Sequence, residues 1–177
     1  MAKKRRDPQR IANQIHAYLT AKHSPLAPYT GALVRSAQRY GVDPRLLVAI
    51  AGAETSYATD RNAGRDITTG HNPFGMGPHI QYGSWQEAFE AAARNLRQHY
   101  LDQGLRDVVS IRNKWAPLGA QNDPSGLNSG WALNVRTVLE RLGGTGGDIG
   151  PGRVPFRARA WPAGRYEWLP RLRPRHP

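Results

Sequence analysis

The sequence predicts a mostly α-helical domain, and three observations support this. Apolar side chains recur at spacings of three and four residues in several segments. Residues that start or stop helices stand at the ends of these segments, such as Asp43, Ser84 and Gly41. One segment, 43–57, is apolar on nearly every side, which is typical of a helix at the centre of its domain. At 177 residues and 19.6 kDa, the chain suits one domain with tails.

The central segment reads DPRLLVAIAGAETSY. Asp43 can cap the start of a helix, and Pro44 fits the first turn, where its missing N–H is harmless. Glu54 stands near the far end and continues the apolar stripe of Leu47 and Ile50. Its side chain should therefore point towards the core.

The position of Glu54 has a chemical consequence. Apolar surroundings disfavour a charged carboxylate, and the C-terminal end of a helix disfavours a second negative charge. Both effects raise a pKa, and a glutamic acid that keeps its proton near neutral pH can act as a general acid. The alternative is a glutamate at a frayed helix end that faces water.

The other helices are predicted from apolar stripes and from capping residues. Ser84 and Glu87 fit a capping box, which makes Glu87 a cap rather than a catalyst. In the segment 105–115, Leu105, Val108, Val109 and Ile111 are expected to face inward. The predicted helices span residues 9–22, 29–40, 84–102, 105–115 and 129–142.

The segment 58–83 is rich in glycine and has no periodicity. A long irregular loop inside a compact domain is commonly functional. This loop and the loop 116–128 contain many aromatic and amide side chains. Such side chains suit sugar rings, which have apolar faces and many hydroxyl groups.

The net charge of +12 lies mostly in the tails. We therefore divide the chain into a basic N-terminal tail (1–10), a helical domain (11–143) and a Gly/Pro/Arg-rich tail (144–177). Basic tails suit a polyanion such as an anionic wall polymer, a lipid surface or nucleic acid; they also serve solubility alone. Aromatic residues in the C-terminal tail predict that it docks on its own domain or on a partner.

Several classes of site are disfavoured, and we expect no metal and no other cofactor. There is no cysteine, no GxSxG motif and no Walker A motif. His71 and His79 lack the neighbours of a metal site. We also expect no transmembrane segment, and no signal peptide, because no apolar region follows the basic residues 1–10.

Four motifs, in order, resemble the lysozyme-like peptidoglycan-cleaving families, which include soluble lytic transglycosylases and bacterial and phage glucosaminidase domains. GVDPRLLVAIAGAETSYA resembles their active-site helix, and HNPFGMG resembles the second glucosaminidase motif. YGSWQEAFEAAARNL resembles the helix that follows, and KWAPLGAQNDPSGLNSGWALNV resembles the closing segment. The likeness covers roughly residues 29–143. The "AYN" motif of soluble lytic transglycosylases is absent.

The resemblance implies a lysozyme-like fold with a long irregular active-site loop. It implies cleavage of the β-1,4 bond between N-acetylmuramic acid and N-acetylglucosamine, with Glu54 as general acid. A hydrolase usually adds a second carboxylate, for which Asp60, Asp66 and Glu87 are candidates; a transglycosylase reuses its single glutamate, and we favour it slightly. The expected cleft-lining residues are Ser56, Tyr57, Asn72, Phe74, Met76, Tyr100 and Trp115.

The expected partner is peptidoglycan, so the protein would act on the cell wall. Without a signal peptide, it would reach the wall in a phage virion, through lysis with a holin, or by another route. Virion proteins are candidate partners of the C-terminal tail. The alternatives are a non-catalytic virion or wall protein and a nucleic-acid-binding protein. We rank nucleic acid low, since no reader motif is present and residues 11–143 carry only +3 of the net charge.

Overall fold

The structure is a computed structural model that describes residues 8–60, 70–77, 80–121 and 123–145. These residues form six α-helices and no strand, which confirms the mostly α prediction. No helix in this part of the chain is long and apolar enough to cross a membrane. Most of both predicted tails, together with Asp66, His79 and Asn122, lies outside the described residues. The helices are α1 (Pro8–Ala21), α2 (Thr30–Arg39), α3 (Pro44–Thr55), α4 (Trp85–His99), α5 (Val108–Trp115) and α6 (Asn128–Arg141).

Helix α3 is the centre of the domain, as its apolar sequence predicts. The side chain of Asp43 caps its N-terminus and accepts a hydrogen bond from the backbone N–H of Arg45 at 3.0 Å. Every residue from Pro44 to Ala51 is buried. The helix packs most extensively on α6 and also contacts α1, α2 and α4. Glu54 lies on the last turn of this helix, beyond the fully buried run, and is half-buried.

The C-terminal end of α3 is hydrogen-bonded to the loop of residues 70–77, through Thr55 and Pro73. Three successive residues adopt left-handed backbone conformations: Ser56, Tyr57 and Ala58, with φ of 50°, 64° and 64°. Non-glycine residues rarely adopt this conformation, so the surrounding contacts must hold it. The Thr55 hydroxyl supplies such contacts: it donates to Pro73 O at 2.8 Å and accepts from the N–H of Ala58 at 3.0 Å.

The boundaries of α4 differ slightly from the prediction. Ser84 is the N-cap, as predicted, and accepts from the backbone N–H of Glu87 at 3.2 Å. The carboxylate of Glu87, however, accepts from the N–H of Gly83 at 2.8 Å, one residue before the position that a capping box requires. The helix ends at His99 rather than near residue 102, because Tyr100 leaves helical geometry and a 3₁₀ turn, Leu101–Gln103, follows.

Capping sets the start of α5, and apolar spacing sets the buried face of α6. Helix α5 begins at Val108 rather than at residue 105, because the Asp107 side chain accepts from the N–H groups of Val109 and Ser110. The inward orientation predicted for Val109 is wrong: its side chain is 41% exposed, because Val108 and Ile111, three residues apart, define the buried face of α5. Apolar residues at helical spacing in the predicted helix 129–142 face the core, and all are buried: Trp131, Val135, Val138 and Leu139 of α6, and Leu142 directly after it.

Arg45 ties the start of α3 to the end of α6. Its guanidinium is almost completely buried and donates from Nε to Asp43 at 2.8 Å. It also donates to the backbone carbonyl of Gly143 at 2.8 Å. A buried charge of this kind is tolerated because it is both paired and hydrogen-bonded.

We predict that Arg45→Ala lowers the free energy of unfolding by about 2–4 kcal/mol, because it removes the buried guanidinium that pairs with Asp43 and donates to the Gly143 carbonyl. Urea denaturation monitored by circular dichroism measures this change. Arg39→Ala is the matched control, since Arg39 forms an exposed ion pair with Glu90 and should lose about 1 kcal/mol or less. Equal losses in the two variants would contradict a structural role for Arg45.

Candidate active site

Glu54 is held by two tryptophans that come from different helices. Its Oε1 atom accepts from the indole Nε1–H of Trp131 at 2.7 Å and from that of Trp115 at 2.9 Å. Trp115 is the last residue of α5, and Trp131 lies in the first turn of α6. The carboxyl group is therefore fixed in position by two rigid donors on one of its oxygens.

The surroundings raise the pKa of Glu54 above its ordinary value. Burial is the dominant cause, because it disfavours the charged form. The hydrogen bonds from Trp131 and Trp115 act in the opposite direction, because an N–H donor stabilises the carboxylate. Burial outweighs them, so the shift has the direction that the sequence predicts, and the alternative of a water-facing glutamate at a frayed end does not apply.

The second oxygen of Glu54 faces Gly75. A Cβ atom at residue 75 would lie 3.0 Å from Oε2, closer than ordinary van der Waals contact. Since both indoles donate to Oε1, the proton of the neutral acid is best placed on Oε2. Glycine at residue 75 therefore leaves free space beside the oxygen that carries the proton.

Asn72 and Phe74 shape the loop that presents Gly75. The Asn72 amide accepts from the N–H of Met76 at 3.0 Å and donates to the carbonyls of Met76 and Ile80 at 3.0 and 3.1 Å. The ring of Phe74 is fully buried and packs edge-on against Phe89. Although both were predicted to line the cleft, their side chains are engaged inside the protein because the loop depends on them for its shape.

Tyr100 and Trp115 lie together on one side of Glu54. Their ring centroids are 5.7 Å apart. Tyr100 is almost completely buried, and both its burial and the nearby Glu54 raise the pKa of its hydroxyl. Trp115 is only partly buried. Of the aromatic residues predicted for the site, these two are the ones that the structure brings to Glu54.

Tyr57 and Ser56 are not brought to Glu54. The Tyr57 ring covers Gly52, where an added Cβ would come within 2.5 Å of it, and its hydroxyl meets that of Tyr18 at 2.8 Å. Residues 52 and 54 lie about 200° apart around a helix, so this ring occupies the face of α3 opposite Glu54. Ser56 is exposed at the C-terminal end of α3.

Trp131 is the site residue that sequence reasoning missed. Its helical spacing with Val135 and Val138 indicated a core residue, and it is indeed buried. One signal was nevertheless present: a buried indole usually needs an acceptor for its N–H, and Glu54 was the acid expected in the interior. Helical spacing assigns a face to a residue but does not identify the hydrogen-bond partner across the core.

Of the candidates for a second carboxylate, Asp60 and Glu87 lie within the described residues. The Glu87 carboxylate accepts from the N–H of Gly83, as described above, and Asp60 follows the turn after α3, where its N–H donates to Thr55 O.

Within the described ranges, no group of three or more His, Cys, Asp or Glu side chains could hold a metal ion. His71 lies against Trp85, with ring centroids 4.7 Å apart.

No protein-family model matches the chain, and no curated protein is significantly similar to it. The chemistry available to the site therefore follows from the geometry around Glu54. A carboxyl group with a raised pKa, one oxygen anchored by two indoles and the other beside Gly75, is suited to proton donation.

We predict that the pKa of Glu54, measured by carbon-13 NMR titration of its carboxyl group, lies above the usual value of 4.5. Trp131→Phe should raise this pKa further, because it removes a donor that stabilises the carboxylate. The control is Trp85→Phe, which alters a buried tryptophan that contacts His71. A lower pKa in Trp131→Phe would contradict the assigned hydrogen bond.

Proposed function

We propose that this domain cleaves the glycan strand of peptidoglycan at the β-1,4 bond between N-acetylmuramic acid and N-acetylglucosamine, with Glu54 as general acid. The observation that carries the proposal is the carboxyl group of Glu54, whose Oε1 accepts two indole N–H groups while Oε2 faces Gly75. The four sequence motifs support it, and we infer from them a lysozyme-like architecture for the helical domain.

In the first step, the proton on Oε2 moves to the glycosidic oxygen as the bond between that oxygen and C1 breaks. Positive charge develops on the sugar ring, and negative charge develops on the carboxylate. Hydrogen bonds to an ionised acceptor are stronger than those to a neutral one, so the bonds from Trp115 and Trp131 strengthen as the proton leaves. These fixed donors therefore stabilise the product of the step more than its reactant.

In the second step, the Glu54 carboxylate accepts a proton. If it takes the proton from the C6 hydroxyl of the same sugar, that oxygen bonds to C1 and a 1,6-anhydro end forms. If it takes the proton from water, a reducing end forms. We favour the first outcome slightly, because a hydrolase usually uses a second carboxylate, and the candidate Glu87 is engaged with the N–H of Gly83.

The positive charge of the protein also supports the proposed substrate and the proposed site of action. Peptidoglycan walls carry anionic polymers, and the net charge of +12 suits them. We propose that the enzyme acts on the cell wall as a phage virion component or after release by lysis. The C-terminal tail would then bind virion proteins.

Glu54→Gln tests the proposed function, because glutamine keeps the shape of the side chain and cannot donate an acidic proton. We expect the release of muropeptides from purified cell walls to fall by about 10²–10⁴-fold, with the circular dichroism spectrum retained. Glu87→Gln is the matched control; it changes a capping carboxylate and should leave the rate within a few-fold of the wild type.

Full activity of Glu54→Gln would refute the proposal. Mass spectrometry of the released muropeptides then distinguishes the two second steps. A 1,6-anhydro end identifies a transglycosylase, and a reducing end identifies a hydrolase. Activity should also fall as the pH rises through the elevated pKa of Glu54, because the acid form is lost.

Gly75→Ala should lower activity at least about tenfold, because the new methyl group crowds Oε2 where the substrate oxygen must approach. Gly104→Ala is the control, since residue 104 also has a positive φ (83°, against 60° at residue 75) and nothing lies within 4 Å of its added Cβ. Both variants should lose about 1–2 kcal/mol of stability from backbone strain. Equal activity in the two variants, measured by muropeptide release, would rule out crowding at Oε2.

A further inference from the structure

A small pocket lies where the chain after Gly75 meets the second half of α4. Its volume is about 50 Å³, several times the roughly 10–15 Å³ that one water molecule needs. It can therefore admit a small polar group. The lining includes three side chains from the segment after Gly75 and three from α4: Met76, Ile80, Tyr82, Arg94, Gln98 and His99.

The α4 side of this pocket carries three side chains that can donate hydrogen bonds. These are the guanidinium of Arg94, the amide of Gln98 and the ring of His99. Within the described ranges, none of these three side chains has a hydrogen-bond partner. The other arginine of α4, Arg97, differs, because it forms an ion pair with Asp102 at 2.8 Å. Since Arg94 is half-buried, a partly desolvated cation lines the pocket without an acceptor.

The charges around Arg94 favour an anion in the pocket. The part of the lining that the structure describes includes no carboxylate. Glu90 precedes Arg94 by about one helical turn, but its carboxylate is engaged by Arg39 at 2.5 Å and by the hydroxyl of Ser36 at 3.1 Å. Tyr40 also lies near Arg94 and is neutral at neutral pH, because burial raises its pKa above 10.0. The charge of Arg94 is therefore available to a ligand.

Lys114 offsets the one feature that disfavours an anion here. The C-terminal end of a helix carries partial negative charge on its free carbonyl groups, and His99 is the last residue of α4. The ammonium group of Lys114 donates to the carbonyl of His99 at 2.6 Å and to Oε1 of Gln103 at 2.9 Å. A positive charge from α5 is thus fixed at the end of α4, beside the pocket.

The donor set narrows the class of anion to phosphate. The arginine fork matches phosphate oxygens with two parallel N–H groups. Donors on two turns of one helix approach from different directions, which suits a tetrahedral group better than the two coplanar oxygens of a carboxylate. Nucleic acid is disfavoured, because Tyr82 is buried and is poorly placed to stack on a base, the contact that single strands commonly need.

We propose that this pocket binds one phosphate group of a phosphodiester polymer. The guanidinium of Arg94 donates to the phosphate oxygens, and the side chains of Gln98 and His99 donate to the same group. Met76 and Ile80 contact the carbon atoms that flank it. The polymer is an anionic polymer of the cell wall; this identification rests on the proposed function. The pocket gives the domain a contact with the wall that is separate from Glu54.

Nuclear magnetic resonance tests the site in the full-length protein. Small probes are used at constant ionic strength, because the basic tails would bind any polyanion. The probes are dimethyl phosphate, inorganic phosphate and acetate. Dimethyl phosphate should shift the side-chain signals of Arg94, Gln98 and His99 saturably, with a Kd in the millimolar range. Acetate should bind at least about fivefold more weakly.

Two variants separate the pocket from the general positive charge. Arg94→Gln should weaken the binding of dimethyl phosphate at least about fivefold, measured from the signals of Gln98 and His99. Arg136→Gln is the matched control, because it removes the same charge from an exposed arginine of α6; it should change the Kd by less than about twofold. Melting followed by circular dichroism checks that both variants remain folded.

The polymer is identified with poly(glycerol phosphate) and with single-stranded DNA that has the same number of phosphates. Poly(glycerol phosphate) should shift the three side-chain signals, and Arg94→Gln should reduce its binding more than Arg136→Gln does. Tighter binding of DNA through Arg94 would overturn the choice of a wall polymer. Signals that respond to inorganic phosphate but not to dimethyl phosphate would overturn a phosphodiester ligand.

The outcomes also distinguish this site from the proposed function. Equal effects of Arg94→Gln and Arg136→Gln, acetate binding as tight as that of dimethyl phosphate, or no shift with any probe overturns the site, even if the wild type releases muropeptides. Phosphodiester binding that depends on Arg94 supports the site even if the wild type releases none. In that case the proposed function fails, together with the wall setting inferred from it.

Discussion

The site depends on one interaction, the pair of indole N–H groups that meet on a single oxygen of Glu54. The donors come from α5 and α6, and the acceptor comes from α3. Three helices must therefore pack correctly before the carboxyl group is oriented. Once they do, the two oxygens of Glu54 are no longer equivalent, because one is an anchored acceptor and the other faces Gly75.

Two kinds of effect act in opposite directions on the pKa of Glu54. Burial favours the neutral acid, and the two indoles favour the carboxylate. Burial alone would make the acid reluctant to release its proton, and the hydrogen bonds alone would leave it ionised at neutral pH. An acid that must donate a proton and then hold a negative charge benefits from both.

The loop of residues 70–77 is held in position beside the same carboxyl group. Thr55 fastens it to the end of α3, Asn72 fixes its turn, and Phe74 anchors it in the core. These internal contacts place Gly75 beside Oε2 of Glu54. Asn72 and Phe74 therefore hold the backbone of the loop from within the protein, with both side chains buried.

The sequence by itself determined the helices, the central place of α3 and the unusual position of Glu54. These follow from local rules, since apolar periodicity, caps such as Asp43 and stops such as Gly41 act within a few residues. Only the tertiary structure decided which groups surround the acid. Trp131 lies 77 residues from Glu54 along the chain, and Tyr57, only three residues away, faces the opposite side of α3. Periodicity specifies which face of a helix is buried, but the partner across the core is fixed only when the helices pack.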